Sequence, residues 1–179
     1  MKSVYFVRHG QTVWNVENKI CGATDIELTA LGHEQAIETG KKILEKKIEA
    51  DVILYSPLVR AKDTALHISE ITGISAKEEI RLKEQNFGKY ESTPRHGEEF
   101  EEAKKSFINH FDGGESMFEM AQRIYNLLDD LKKESGEKTY LLVAHNGISR
   151  VVNSYFHDMT NEEYAAFGIK NCEILKYEF

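Results

Sequence analysis

This chain has few cysteines, few prolines and no long apolar run, and each shortage excludes something. Two cysteines occur in 179 residues, Cys21 and Cys172, and neither has a Cys or His partner at metal-ligand spacing. That excludes a disulfide scaffold and a structural zinc site, and it points to a reducing compartment. The two prolines, Pro57 and Pro94, lie in no Pro/Gly/Ser-rich linker, and no repeat or low-complexity tract is present. One domain over 1–179 is therefore expected, a size that suits a single core. The longest apolar runs, such as Val4–Val7, Val52–Tyr55 and Tyr140–Ala144, fall far short of the roughly 20 residues a bilayer helix needs. Met1-Lys2-Ser3 leads directly into a strand-like segment with no secretory h-region, so a cytoplasmic protein with no membrane partner is expected. Positive charge is also in the minority, with 23 Lys and Arg against 30 Asp and Glu and a net charge of -7. This excludes a broad nucleic-acid surface and leaves room only for a local basic pocket.

Hydrophobic residues make up 41% and charged residues 30%, the balance of a globular chain rather than a disordered one. Short apolar runs alternate with helical periods, which predicts an α/β fold with a mostly parallel sheet. Strands are expected at Ser3–Val7, Asp51–Tyr55 and Thr139–Ala144, with a final edge strand at Glu173–Tyr177. Leu28, Leu31, Ala36, Gly40, Ile43 and Leu44 recur at helical spacing behind Thr29 as N-cap. Ser56-Pro57 reads as an N-cap with proline at the first helical position, followed by Leu58, Ala61, Ala65 and Ile68. Ser116-Met117-Phe118-Glu119 is a capping-box pattern, and a weaker helix is expected around Phe100–Phe111. Asn146-Gly147 leads into a last helix.

Open α/β sheets bind ligands beyond the carboxyl ends of their strands. Here those ends carry Arg8-His9-Gly10, then Ser56-Pro57 with Arg60 one turn on, and His145-Asn146-Gly147. Parallel strands bring two histidines and two arginines to one edge beside helix N-termini. That set suits a phosphoryl group, because arginine forks match phosphate oxygens and helix N-termini add oriented N–H groups. Gly10 and Gly147 are expected to let backbone approach the ligand, and an imidazole can attack phosphorus.

Arg8-His9-Gly10-Gln11-Thr12-Val13-Trp14-Asn15 resembles the signature of the histidine phosphatase superfamily, the phosphoglycerate mutase-like family. Gly22, Asp25, Leu28-Thr29 and Leu31-Gly32 come next, and the run from Ser56 to Ala65 is similar to its second block. Leu82-Lys83-Glu84-Gln85-Asn86-Phe87-Gly88, Gly114-Glu115-Ser116 and Val143-Ala144-His145-Asn146-Gly147 complete the set in family order. The resemblance implies a three-layer α/β/α fold and no metal or other cofactor. It implies His9 as nucleophile through a phosphohistidine, and Arg8, Arg60 and His145 holding the phosphoryl oxygens. Glu84 is implied as general acid and base, and Gln11, Thr12, Asn15, Gly22 and Asn146 as contacts to the phosphate or its attached group. The partner it implies is a small phosphorylated metabolite.

Blander uses stand beside these. Ser56 and Ser116 read as helix caps first, Trp14 and Phe87 as core or pocket wall, and His33, His67, His110 and His157 as packing or surface. Arg95-His96-Gly97 repeats the signature tripeptide after Pro94 in a polar stretch, with no strand before it, and is assigned no catalytic role. Mutases of the family usually carry a longer, more basic insertion with adjacent arginines after the glutamate block. Here that segment is short and holds Glu98, Glu99, Glu101, Glu102 and Asp112, so a phosphatase is preferred over a phosphoglycerate mutase. A non-catalytic phospho-ligand module ranks last, since His9 and Glu84 are both present. Residues from Asn86 to Phe118 are expected to form the lid and walls over the leaving group.

Overall fold

The computed structural model describes residues 3–134 and 138–179, so the Met1-Lys2 part of the N-terminal reading lies outside it. The elements are, in chain order, β1 (Ser3–Arg8), α1 (Val13–Val16), α2 (Ala30–Glu45), β2 (Val52–Tyr55), α3 (Val59–Thr72) and β3 (Ala76–Glu78). They continue with α4 (Glu98–Ala103), α5 (Met117–Lys133), β4 (Tyr140–Ala144), α6 (Asn146–Phe156), α7 (Asn161–Ala166) and β5 (Ile174–Glu178). The strands form one sheet in the order β3-β2-β4-β1-β5, parallel throughout except for β5, which runs antiparallel at the β1 edge.

Side chains alternate across a strand, and that alternation builds three layers. Val4, Phe6, Leu142 and Ala144 pack on one face against Met120, Ile124 and Leu128 of α5 and Ile148, Val151 and Val152 of α6. Val7, Leu141 and Val143 face the other way, against Ile43 of α2 and Ala61, Ala65 and Ile68 of α3. Every residue of β4 is buried, as a central strand covered on both faces requires. The covering helices change face between β1 and β4, which are neighbours in the sheet. A crevice opens at the carboxyl ends of such a pair.

Two local expectations are corrected. Helix α3 starts at Val59 with Leu58 as its N-cap, not at Pro57 behind Ser56. Ser56 extends the sheet instead, its N–H donating to Val143 O at 3.1 Å. The helix end is capped from a distance, by Asp25 Oδ1 accepting from Val59 N at 2.7 Å. The stretch Phe100–Phe111 is helical only to Ala103, then turns, with Phe111 and Asp112 both at φ 55°. Three elements leave no clear signal in the sequence: α1 and α7 are too short to show a period, and β3 has the polar sequence Ala-Lys-Glu. Among the described residues no helix is long and apolar enough to cross a membrane.

Candidate active site

Strand register assembles the site. Arg8 pairs with Ala144 and Tyr55 with Val143, so the residues after each strand emerge together. His9 N donates to Ala144 O at 2.9 Å, and the His9 and His145 rings lie 5.2 Å apart by centroid. Both histidines are buried. His9 Nδ1 sits 2.7 Å from Gly10 O. A carbonyl only accepts, so this bond fixes the proton on Nδ1 and leaves the Nε2 lone pair available for attack. Burial first, then Arg60 and Arg8, hold His9 well below the usual imidazole pKa, and the ring is neutral.

His145 is held by its other nitrogen, with Nε2 2.7 Å from Ser56 Oγ. Ser56 is thus committed to this histidine. When the hydroxyl donates to Nε2, Nδ1 carries the ring proton and is a donor. Arg60 is almost fully buried, with Nη1 donating to Thr24 O at 2.8 Å and Nη2 to Gly22 O at 2.6 Å. Arg8 donates Nη1 to Ile169 O at 2.6 Å. Its pKa is lowered to about 10 by burial, then by Arg95, with Glu84 opposing. Three buried side-chain polar atoms among the described residues have no hydrogen-bond partner: Arg8 Nε, Arg60 Nε and His145 Nδ1. A buried donor left unpaired costs about 1–3 kcal/mol, so three in one place mark a site built to receive an acceptor.

Glu84 is the buried carboxyl of the crevice. Its Oε2 accepts from Gly147 N at the start of α6, and its Oε1 from Gln85 N, both at 2.9 Å. Burial raises its pKa against the lowering effect of those two bonds and of Arg60. A Cβ at position 147 would collide with the Glu84 carboxylate. Gly147 therefore admits Glu84 to the helix end, rather than a ligand, and a Cβ on Gly10 would likewise strike the Gly32 carbonyl of α2.

Most of the expected contact residues are engaged inside the protein. Thr12 and Asn15 form a reciprocal capping box on α1, with Thr12 N donating to Asn15 Oδ1 at 3.0 Å. Gln11 accepts from Thr29 Oγ1 at 2.9 Å through Oε1. Gly22 donates its N–H to Glu91 Oε2 at 3.0 Å. Asn146 Oδ1 accepts from Ile169 N at 3.0 Å and so steadies the residue whose carbonyl Arg8 grips.

Sequence reading misses four residues. Glu91 binds Gly22 N, Ala23 N and Thr24 Oγ1 at 2.8–3.0 Å, fixing the loop whose two carbonyls hold Arg60. Asn171 donates to His9 O at 2.9 Å. The charges of Arg95 and Arg150 both act on Arg8 and lower its pKa. Glu91 and Asn171 leave no pattern in the sequence because each acts through loop backbone. Arg95 belongs to the repeated tripeptide, which the structure divides: its guanidinium reaches the site's edge while His96 points to solvent. His33 and His67 pair with each other at 2.9 Å between α2 and α3.

Comparison with known proteins places the chain in a family. The family profile described as histidine phosphatase superfamily (branch 1) matches residues 4–179, and the chain belongs to that superfamily. It is 37% identical over 145 residues to the uncharacterised phosphatase PhoE of Bacillus subtilis (strain 168), covering 81% of this chain and 72% of that one. It is 32% identical over 179 residues to a 2,3-bisphosphoglycerate-dependent phosphoglycerate mutase of Chelativorans sp. (strain BNC1), covering 93% and 87%. Among solved structures, a mycobacterial glucosyl-3-phosphoglycerate phosphatase superposes with a TM-score of 0.84 at 25% identity, covering 98% and 89%. The mutase is matched over most of its length, so chain length does not separate the two activities.

Proposed function

We propose that this protein is a cytoplasmic, metal-independent hydrolase of small phosphomonoesters, working through a phosphohistidine on His9. The observation that carries this reading is the convergence of Arg8 Nε, Arg60 Nε and His145 Nδ1, all buried and unpartnered, beside a neutral His9. In the first step His9 Nε2 attacks phosphorus, the P–N bond forms, and the ester P–O bond breaks. Glu84, whose pKa burial raises, gives a proton to the departing alkoxide. The arginines and His145 balance the charge spread over the phosphoryl oxygens in flight. In the second step water attacks the phosphohistidine, Glu84 takes back a proton, and inorganic phosphate leaves.

The mutase reading has one observation in its favour. Arg95 and Arg150 add positive charge beyond what one phosphoryl group requires. The segment after Glu84 weighs the other way: among its four glutamates from 98 to 102, Glu99, Glu101 and Glu102 are exposed and paired with lysines, and no adjacent arginine pair is present. The test is turnover of a labelled phosphomonoester in excess chelator, with an alkaline denaturing quench that preserves the acid-labile P–N bond. Label retained on wild type and absent from His9→Ala supports the reading, as does release of phosphate. Dependence on a divalent metal, or isomerisation of 3-phosphoglycerate that is primed by bisphosphoglycerate and outruns hydrolysis, overturns it.

A further inference from the structure

A cavity of about 510 Å³ adjoins the proposed acid. Gln85 and Gly147, whose N–H groups hold the two Glu84 oxygens, also line it. An alcohol protonated by Glu84 therefore departs into this space, a statement that rests on the hydrolase reading. The volume falls within the roughly 300–1,000 Å³ of sites that enclose whole organic ligands, well beyond a three-carbon acid.

The lining defines what fits. Phe107, Phe111, Met117, Met120 and Tyr164 supply apolar and aromatic wall. Phe107 and Tyr164 face each other at 6.0 Å between centroids, from the 104–110 turns and from α7. Charge at the mouth is mostly neutralised in place, as Lys104 pairs with Glu101 at 3.0 Å and Lys105 with Glu102 at 2.5 Å, while Glu162 lies exposed on the rim. Arg150 differs. It lies one turn along α6 from Gly147, its Nε donates to Phe167 O at 2.6 Å, and no carboxylate pairs with it among the described residues. It lines the cavity together with Gly147 on the Glu84 side and with Phe107 and Tyr164 of the aromatic wall.

We infer that the leaving group is a ring-bearing alcohol that carries a carboxylate: the ring lies against Phe107 and Tyr164, and the carboxylate meets the Arg150 guanidinium. Guanidinium forks favour carboxylates, and aromatic walls favour planar apolar bodies. Arg150 and Tyr164 are then specificity-determining residues, separate from the groups that act on phosphorus.

Three esters of comparable alkyl reactivity test this: 4-carboxybenzyl phosphate, benzyl phosphate and 3-phosphoglycerate. The expected kcat/KM order is 4-carboxybenzyl above benzyl by about tenfold, equivalent to about 1.4 kcal/mol, and benzyl above 3-phosphoglycerate. Arg150→Gln should collapse the carboxybenzyl-to-benzyl ratio to near one, with Arg150→Lys restoring part of it. Tyr164→Ala should narrow the benzyl-to-3-phosphoglycerate ratio. Wild-type ratios near one, or 3-phosphoglycerate preferred, overturn the inference without any variant having to fold. If the ratios come out that way while phosphohistidine still forms from all three esters, the hydrolase reading stands and this one fails. If none labels His9, the hydrolase reading itself has failed.

Discussion

Two copies of Arg-His-Gly occur in this chain, and they come to opposite ends. His9 is 5% exposed at the end of a central strand, its ring fixed by Gly10 O and its backbone by Ala144 and Asn171. His96 comes after a turn, and its side chain is 75% exposed with only a loose approach to Glu101. The same three residues yield a desolvated, oriented imidazole in one place and a solvated surface in the other. A neutral imidazole with one lone pair aimed at a ligand needs burial and a pinned tautomer, and neither is encoded in the tripeptide. Arg95 complicates the contrast, since its charge reaches Arg8 and His9 from the second copy.

The largest effect breaks the symmetry of the two copies outright. His9→Ala should lower turnover of any phosphomonoester by about 10⁴-fold or more, the scale of losing a nucleophile. His96→Ala should leave kcat/KM within about twofold, as expected of an exposed side chain. Comparable losses in steady-state assays would end the distinction.

Next comes Glu84, the other desolvated group. Glu84→Gln keeps an acceptor for Gly147 N but removes the proton, so kcat should fall about 10²–10⁴-fold. The same change should stabilise the fold at alkaline pH. The folded-state pKa of Glu84 lies above its unfolded value, so the native state binds the extra proton and loses stability as pH rises from the unfolded pKa through the folded one. The melting temperature of Glu84→Gln should therefore exceed that of wild type at about pH 8, and the gap should close as pH falls toward the unfolded value. A gap of constant size would show that burial of the charge is not its origin.

The smallest effect sharpens the comparison. Arg95→Gln should raise KM for a small phosphomonoester about threefold with little change in kcat, because a charge at the edge adds to attraction rather than to bond breaking. Raising the ionic strength should shrink the difference. A drop in kcat at constant KM would place Arg95 among the groups that act on phosphorus.

The strand ends are readable because a buried parallel strand is a short apolar run, and the residues just after it are forced to the sheet edge. His9, Arg8, Arg60, His145 and Glu84 are identified on that basis and on family blocks. Finer assignments are not readable. Thr12 and Asn15 cap a helix too short to leave a period. Gly22 and Asn146 serve loops that grip Arg60 and Arg8 through carbonyls, and a carbonyl has no residue identity to read. The acidic stretch after Glu84 reads as a run of negative charge, yet Glu99, Glu101 and Glu102 are exposed and pair with Lys89, Lys104 and Lys105.

By itself, the sequence determined the alternation of strands and helices, the α/β class with a mostly parallel sheet and the residues at each strand end, because periodicity and backbone propensity are local. Tertiary structure alone decided which nitrogen of His9 is free, which polar atoms stay unpaired, and that the charges of Arg95 and Arg150 act on Arg8. Tautomers, desolvation and field strength depend on neighbours far apart in the chain. The scarcity of positive charge, which at first left room only for a small basic pocket, takes its meaning from that folding: a few cations, gathered and desolvated, suit the phosphoryl group of the proposed reaction.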